Sequence, residues 1–268
     1  MSEEKAIEKS VKPVTIESLV KELQDGGVKA GSTVIVHSSL SSLGWVCGGP
    51  VTLIKALMKV ITDGGTLVMP GHSGDYSDPV NWENPPVPDD WCETIRDEMP
   101  PYQPEITPTR GVGVVPEVFR KFPGVLRSDH PCLSFIAWGK NAQKIVSDHQ
   151  LEYAMGEASP LADIYRMGGD ILLIGVGHDS NTSLHLAEYM ADYQKKVDTY
   201  GSPIKQDGER LWVEYEDIKY DSDDFKKVGK AYEKQGEFEV FDVGYAQAKL
   251  IPQKSIVDFA VTWFENNR

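Results

Sequence analysis

The segment Gly175-Val176-Gly177-His178-Asp179-Ser180-Asn181-Thr182-Ser183-Leu184-His185-Leu186-Ala187-Glu188 carries a buried-strand pattern out through glycines into polar residues and then a helix. His185 and Glu188 stand at i and i+3, so they share a helical face. The carboxylate can then hold one imidazole nitrogen while the other is offered outward. Such a pair suits a general base, and it equally suits a surface histidine beside a helix-stabilising acid. His178, in the preceding loop, can meet a substrate or serve as a loop hydrogen-bonder.

A second cluster is the loop Ser38-Ser39-Leu40-Ser41-Ser42-Leu43-Gly44-Trp45-Val46-Cys47-Gly48-Gly49-Pro50. Small residues let the backbone approach a ligand closely, and the following helix start carries the partial positive charge that favours phosphate. The lysine of a P-loop and the glycine spacing of a dinucleotide fingerprint are both missing. Thr107-Pro108-Thr109-Arg110-Gly111-Val112-Gly113 and Arg127-Ser128-Asp129-His130-Pro131 place arginines in loops, where they clamp phosphate or remain solvated. Gly71-His72-Ser73-Gly74 fails the G-x-S-x-G spacing and leads into no helical stripe, which argues against a serine hydrolase. There is no H-E-x-x-H, so His178, His185 and Glu188 form at most a partial metal set. Cys47, Cys92 and Cys132 lie far apart and indicate neither a disulfide framework nor a zinc ribbon.

The elements that must position these residues alternate along the chain. Ile16, Leu19, Val20 and Leu23 mark a helix behind a Thr15 cap, stopped by Gly26-Gly27. Strand Thr33–Val36 delivers His37 and Ser38 to its carboxyl end, a helix starts with Pro50 at N1, and strand Thr66–Met69 completes a βαβ unit. From Pro70 to Thr109 the pattern dissolves, as in a binding loop. A helix near Val114–Phe122, a strand at Ser134–Trp138, a helix near Pro160–Met167, a strand at Ile171–Ile174 and helix signals from Asn181 to Tyr193 follow. Arg210–Tyr215 and Phe238–Val243 read as a strand pair flanking an acidic helical stretch through Asp221 to Lys234. The last helix turns Ile256, Phe259, Ala260 and Trp263 inward.

With 27 basic and 41 acidic residues among 268, the net charge is −14, which repels nucleic acid and anionic lipid and admits a polycationic small substrate. No run reaches the ~20 apolar residues of a membrane span, and the charged stretch Met1 to Lys12 has no apolar segment behind it, so a cytoplasmic protein is expected.

In chain order, V-H-S-S-L-S-S-L-G-x-x-x-G-G, G-T-L-V-M-P, T-P-T-R-G-V-G, R-S-x-H-P-x-x-S-F-x-A-x-G and L-L-I-G-V-G-H-x-x-N-T-S-L-H-L-A-E resemble the aminoglycoside N3-acetyltransferase family, the antibiotic N-acetyltransferases outside the GNAT group. The likeness covers roughly Val34 to Tyr193 and loosens toward the end of the chain. It implies one α/β domain over residues 1–268, with a mixed, largely parallel central sheet, flanking helices and a long substrate loop. It further implies acetyl transfer from acetyl-coenzyme A to the 3-amino group of a 2-deoxystreptamine ring.

By the resemblance, His185 is the catalytic base and Glu188 orients it. Coenzyme A lies along Ser38, Ser39, Leu40, Ser41, Leu43, Gly44, Val46 and Gly49, with further contacts at Thr109, Arg110, Gly111, Arg127 and Ser128. A thioester is already activated, so no nucleophilic residue is needed, whereas an ammonium must lose its proton before it attacks. Nothing marks Cys47 or Cys132 as an activated thiolate. Asp75, His178, Glu214 and Asp217, from the long loop, the His178 loop and the acidic stretch, become walls for a polycationic acceptor. Another amine as acceptor, a metal-dependent hydrolase using His178, His185 and Glu188, and a non-catalytic coenzyme A-binding protein remain the competing readings.

Overall fold

Thr33-Val34-Ile35-Val36 is buried on both faces of a strand, the pattern of a central strand covered by helices above and below. A computed structural model describes residues 3–268; Met1 and Ser2 of the charged N-terminal stretch lie outside the described residues. The strands are β1 (Thr33–Ser38), β2 (Thr66–Pro70), β3 (Leu126–Arg127), β4 (Phe135–Gly139), β5 (Asp170–Ile174), β6 (Val197–Gln206), β7 (Glu209–Ile218), β8 (Glu239–Val243) and β9 (Ala246–Pro252). Helices α1 (Glu3–Lys9), α2 (Ile16–Asp25), α3 (Gly49–Ile61), α4 (Cys92–Glu98) and α5 (Val114–Phe119) belong to the first half. The rest are α6 (Ala142–Ser147), α7 (Pro160–Arg166), α8 (Ser183–Met190), α9 (Phe225–Glu233) and α10 (Gln253–Asn267).

Seven strands form one sheet in the order β3-β4-β2-β1-β5-β9-β8. The expected mixed sheet is present, and its parallel pairing is confined to the centre: β1 runs parallel to β2 and β5, and every other neighbour pair is antiparallel. Short connections join the outermost pairs, β3–β4 and β8–β9, whereas long segments carry the chain from β2 to β3 and from β5 to β8, each passing over a neighbouring strand position. Val34, Val36, Leu172 and Ile174 pack on the stripes of α2 and α3, while Ile35, Val68, Ile171 and Leu173 pack on α7, α8 and α10. Alternate side chains of the same strands thus bind two helical layers.

Local chemistry sets the element ends. The Thr15 side chain accepts from Ser18 N while Ser18 Oγ accepts from Thr15 N, closing a capping box on α2. α3 begins one residue before the expected start, with Gly49 ahead of Pro50. On α10, Ile256 and Ala260 are fully buried with Val257 and Phe264, and Phe259 and Trp263 are only half-buried.

One pairing differs from the sequence expectation. β7 and β8 do not pair with each other: β7 forms a separate hairpin with β6, and β8 pairs with β9 at the edge of the main sheet. The hairpin turns at Asp207-Gly208, where φ is 52° and 89°, so both central residues sit in the left-handed region that an Asp-Gly turn tolerates.

The segment between β2 and α5 is largely irregular apart from the short α4, and two arginines fix it. Arg127 donates from Nε to Ser134 Oγ (2.9 Å), from Nη1 to the carbonyls of Pro104 (3.2 Å) and Thr107 (2.5 Å), and from Nη2 to Gly71 O (2.5 Å) and Ser73 Oγ (2.8 Å). From the hairpin, Arg210 reaches Met99 O (2.8 Å) and Arg96 O, and Tyr102 N donates to Pro203 O (2.9 Å).

Candidate active site

The three central strands each send a histidine beyond their carboxyl ends, where open α/β sheets place their sites. His37 is on β1, His72 follows β2, and His185 is carried on α8 after β5. All three line a chamber of about 300 Å³. Between β5 and α8 the chain turns at Gly175 with φ 64°, and a Cβ there would fall 1.8 Å from Ser42 Oγ, so the two loops approach closely only because this residue is glycine.

On α8, His185 Nδ1 meets Glu188 Oε2 at 2.5 Å. Glu188 is fully buried, and its Oε1 accepts from Asp221 N (3.1 Å) and Arg268 Nη1 (2.5 Å). A carboxylate on Nδ1 puts the ring proton there and leaves the Nε2 lone pair to receive another. The ring is held by Tyr220 and Phe225, with centroids 5.3 and 4.7 Å away. Burial holds the other two imidazoles neutral, pushing both His37 and His72 down to about 3, and their Nε2 atoms have no hydrogen-bond partner.

A cleft of about 610 Å³ adjoins the chamber, and Ser38, Gly111, Val112 and Ser180 line both. Its other walls include Ser39, Leu40, Ser41, Gly44, Val46 and Gly49, together with Glu3 and Ala6 of α1 and Val114 and Val115 at the start of α5. A third cavity, about 480 Å³, lies against the long loop between Asp75, Trp82, Glu83 and Arg110. Gly111 lines all three spaces, so they converge at one backbone position. Arg110 Nη1 stands 3.4 Å from Asp75 Oδ2, while Asp75 Oδ1 is closed off from water and unpaired.

Several residues expected at the site lie elsewhere. Leu43 is fully buried in the core, where an apolar side chain beside α2 and α3 belongs, and only its backbone faces the loop. Every N–H of Arg127 is spent on carbonyls and Ser73 of the long loop and on Ser134 before β4, so none is left for phosphate. Ser128 is buried, with Oγ on His149 Nδ1 (2.8 Å) and Phe135 N (2.9 Å). Thr109 is held by Glu117 through both N (2.9 Å) and Oγ1 (3.0 Å).

Nor do the expected acceptor walls stand together. Asp217 is buried, taking hydrogen bonds from Tyr189 (2.5 Å), Tyr220, Ala154 N (3.0 Å) and Ile218 N (2.7 Å), so it offers no oxygen to a substrate. Glu214 is exposed on the other face of β7. His178 is buried, with Nε2 on Glu233 (3.0 Å) and Nδ1 near Asn181 (3.4 Å); burial lowers its pKa against the opposing pull of Glu233. It does not join His185 and Glu188, and among the described residues no three His, Cys, Asp or Glu side chains converge as metal ligands. Cys132 is buried against Tyr76 O and Ser202, and burial pushes its thiol up, away from thiolate character.

Sequence reasoning missed Tyr220 and Arg268 in these surroundings, weighed the Gly71-His72-Ser73-Gly74 segment only as a failed nucleophile elbow, and left His37 without a role. His37 had a visible signal, its place at the carboxyl end of a buried strand. Arg268 had none, because 80 residues separate it from Glu188.

Residues 35–265 match the model of the aminoglycoside 3-N-acetyltransferase family. The chain is 46% identical to the SPbeta prophage-derived aminoglycoside N(3')-acetyltransferase-like protein YokD of Bacillus subtilis strain 168, covering 98% of this chain and 97% of that one. The crystal structure of YokD superimposes with a TM-score of 0.97 over 98% of each chain. AAC-IIIb in a binary complex with CoASH gives 0.86 at 30% identity, covering 95% of this chain and 97% of that one. AAC-VIa bound to sisomicin gives 0.87 at 30% identity, covering 96% and 99%. Matched in sequence over nearly its whole length and in fold by these proteins, the chain belongs to the aminoglycoside 3-N-acetyltransferase family.

Proposed function

We propose that the protein transfers the acetyl group of acetyl-coenzyme A to the 3-amino group of the 2-deoxystreptamine ring of aminoglycosides, by direct attack in a ternary complex with His185 as general base. The observation that carries this is the His185–Glu188 pair opening on a chamber continuous with the Ser38–Gly49 cleft. The cleft fits a long, thin thioester. Its walls are small residues and main chain, and it lies beside the start of α3, the positive end of that helix's dipole. The relative crystallised with CoASH supports that donor.

His185 Nε2 takes the proton of the attacking ammonium, and Glu188 stabilises the imidazolium that results. The amine nitrogen bonds to the acyl carbon, the carbon–sulfur bond breaks, and the departing sulfur takes up a proton. The loop cavity with Asp75 and Glu83 suits an acceptor bearing several ammonium groups, and the relative AAC-VIa is bound to sisomicin. Thiol release from acetyl-coenzyme A, followed with and without sisomicin and kanamycin, tests the reading. Acceptor-dependent release with one acetyl on the 3-amino group is expected; donor binding without transfer would leave a coenzyme A-binding protein, and transfer to another amine would correct the acceptor.

A further inference from the structure

Charge alternates in a line behind His185. Glu188 spans His185 and Arg268, with 2.5 Å on each side. The Arg268 side chain, 9% exposed, gives Nε and Nη2 to the two oxygens of Asp224 (2.9 and 2.6 Å), Nη2 also to Asp221 O (2.6 Å), and Nη1 also to Tyr193 OH (3.1 Å). Phe264 lies 3.9 Å from the guanidinium carbon. All five N–H groups are therefore committed, and Arg268 lines neither the chamber nor the cleft.

A fully buried carboxylate with no compensating cation takes up a proton, either on itself or on the imidazole it faces. Among the described residues no other fixed cation touches Glu188: its remaining partner is the backbone N–H of Asp221, and Lys195 acts on it only through space. His72, Tyr220 and Tyr193 are kept neutral by burial, and Lys195 is turned to Ala191 O and the Tyr193 ring. Asp221 and Asp224 add negative charge, which Asp224 directs onto Arg268 itself.

We propose that Arg268 is a positioning residue for proton transfer: it keeps Glu188 an anion and leaves His185 free to accept the substrate's proton, while touching neither substrate. The proposal rests on His185 being the base of the transfer. In the full chain, Arg268→Gln should raise the midpoint of the acid limb of kcat by about one pH unit and so lower kcat about tenfold at pH values below the wild-type midpoint, with KM for acetyl-coenzyme A little changed. The effect should vanish in a Glu188→Gln background, because no carboxylate remains to be compensated.

Titration of the His185 ring by NMR in the free protein should show the same upward shift. That readout needs no turnover, so it judges Arg268 even if the transferase reading fails. Asp224→Asn, which removes the competing anion, provides a second variant should Arg268→Gln not fold, and its midpoint should move downward. Coincident midpoints in wild type and Arg268→Gln, an equal loss in the Glu188→Gln background, or an unmoved Asp224→Asn would overturn the proposal.

Discussion

Tyr220 joins His185 to Asp217: its ring meets the imidazole edge-on at 5.3 Å between centroids, and its hydroxyl donates to the buried carboxylate. The acidic residue expected to face the substrate instead fixes the group that packs on His185. Tyr220→Phe should keep the ring contact and most of kcat, whereas Tyr220→Ala should lower kcat roughly 10–100-fold by loosening His185. Asp217→Asn should cost about 1–3 kcal/mol in denaturant melts and leave the aminoglycoside KM unchanged. A raised KM would return Asp217 to the acceptor site.

His185→Ala should lower kcat by ~10²–10⁴ with acetyl-coenzyme A affinity intact by calorimetry. Glu188→Gln should cost less. The rate should climb with pH as the imidazole loses its proton, and the alanine variant should lack that limb. Wild-type turnover on a good acceptor by His185→Ala would make the histidine structural.

Acid should destabilise the fold earlier than carboxylate titration alone would. Burial holds His37 and His72 at about 3 and His149 at about 4, against the ordinary 6.5, so the native state stays unprotonated where the unfolded chain binds protons. With the unfolded state binding more protons, stability rises with pH across the window from about 3 to about 6.5 and is lost as pH falls through it. His130, fully buried, is likewise held well below its ordinary value, so chemical denaturation at stepped pH should show an uptake of roughly four protons on unfolding near pH 5. An uptake near zero there would contradict the neutral buried histidines.

Asp75, which lines the loop cavity, and Glu214, exposed on β7, separate two places for acceptor recognition. Asp75→Asn should raise the aminoglycoside KM several-fold and Glu214→Gln should not. Higher ionic strength should raise the same KM in the wild type and less so in Asp75→Asn. Equal behaviour of the two variants would remove Asp75 from the acceptor site.

What the sequence showed and hid follows from the range of the interactions. The β1-α3-β2 unit, the Thr15 cap and the His185–Glu188 pair are encoded within a few residues, and spacing alone reveals them. The β6–β7 hairpin was also local: Asp207-Gly208 is a hairpin turn signal, masked by Gly201 and Pro203 inside a strand that carries little apolar alternation. Arg127 misled for a different reason. A loop arginine beside a serine looks alike whether its partners are phosphates or carbonyls, and its partners Gly71, Pro104 and Thr107 are distant in sequence. Asp217 and Arg268 were hidden in the same way, since burial and long-range pairing leave no periodic trace.

The arginine grips on the segment after β2 are mostly grips on carbonyls: Gly71, Pro104 and Thr107 for Arg127, and Arg96 and Met99 for Arg210. A carbonyl is present whatever side chain its residue bears. The frame of the loop is thereby largely uncoupled from its contents, so point substitutions between residues 75 and 95, other than at Asp78, whose carboxylate holds Arg96, should change the lining of the loop cavity without refolding the wall. Insertions and deletions fall under the opposite constraint, because they would carry the carbonyls out of reach of both guanidinium groups. Exchange of side chains at constant length is thus the change that the loop frame accommodates.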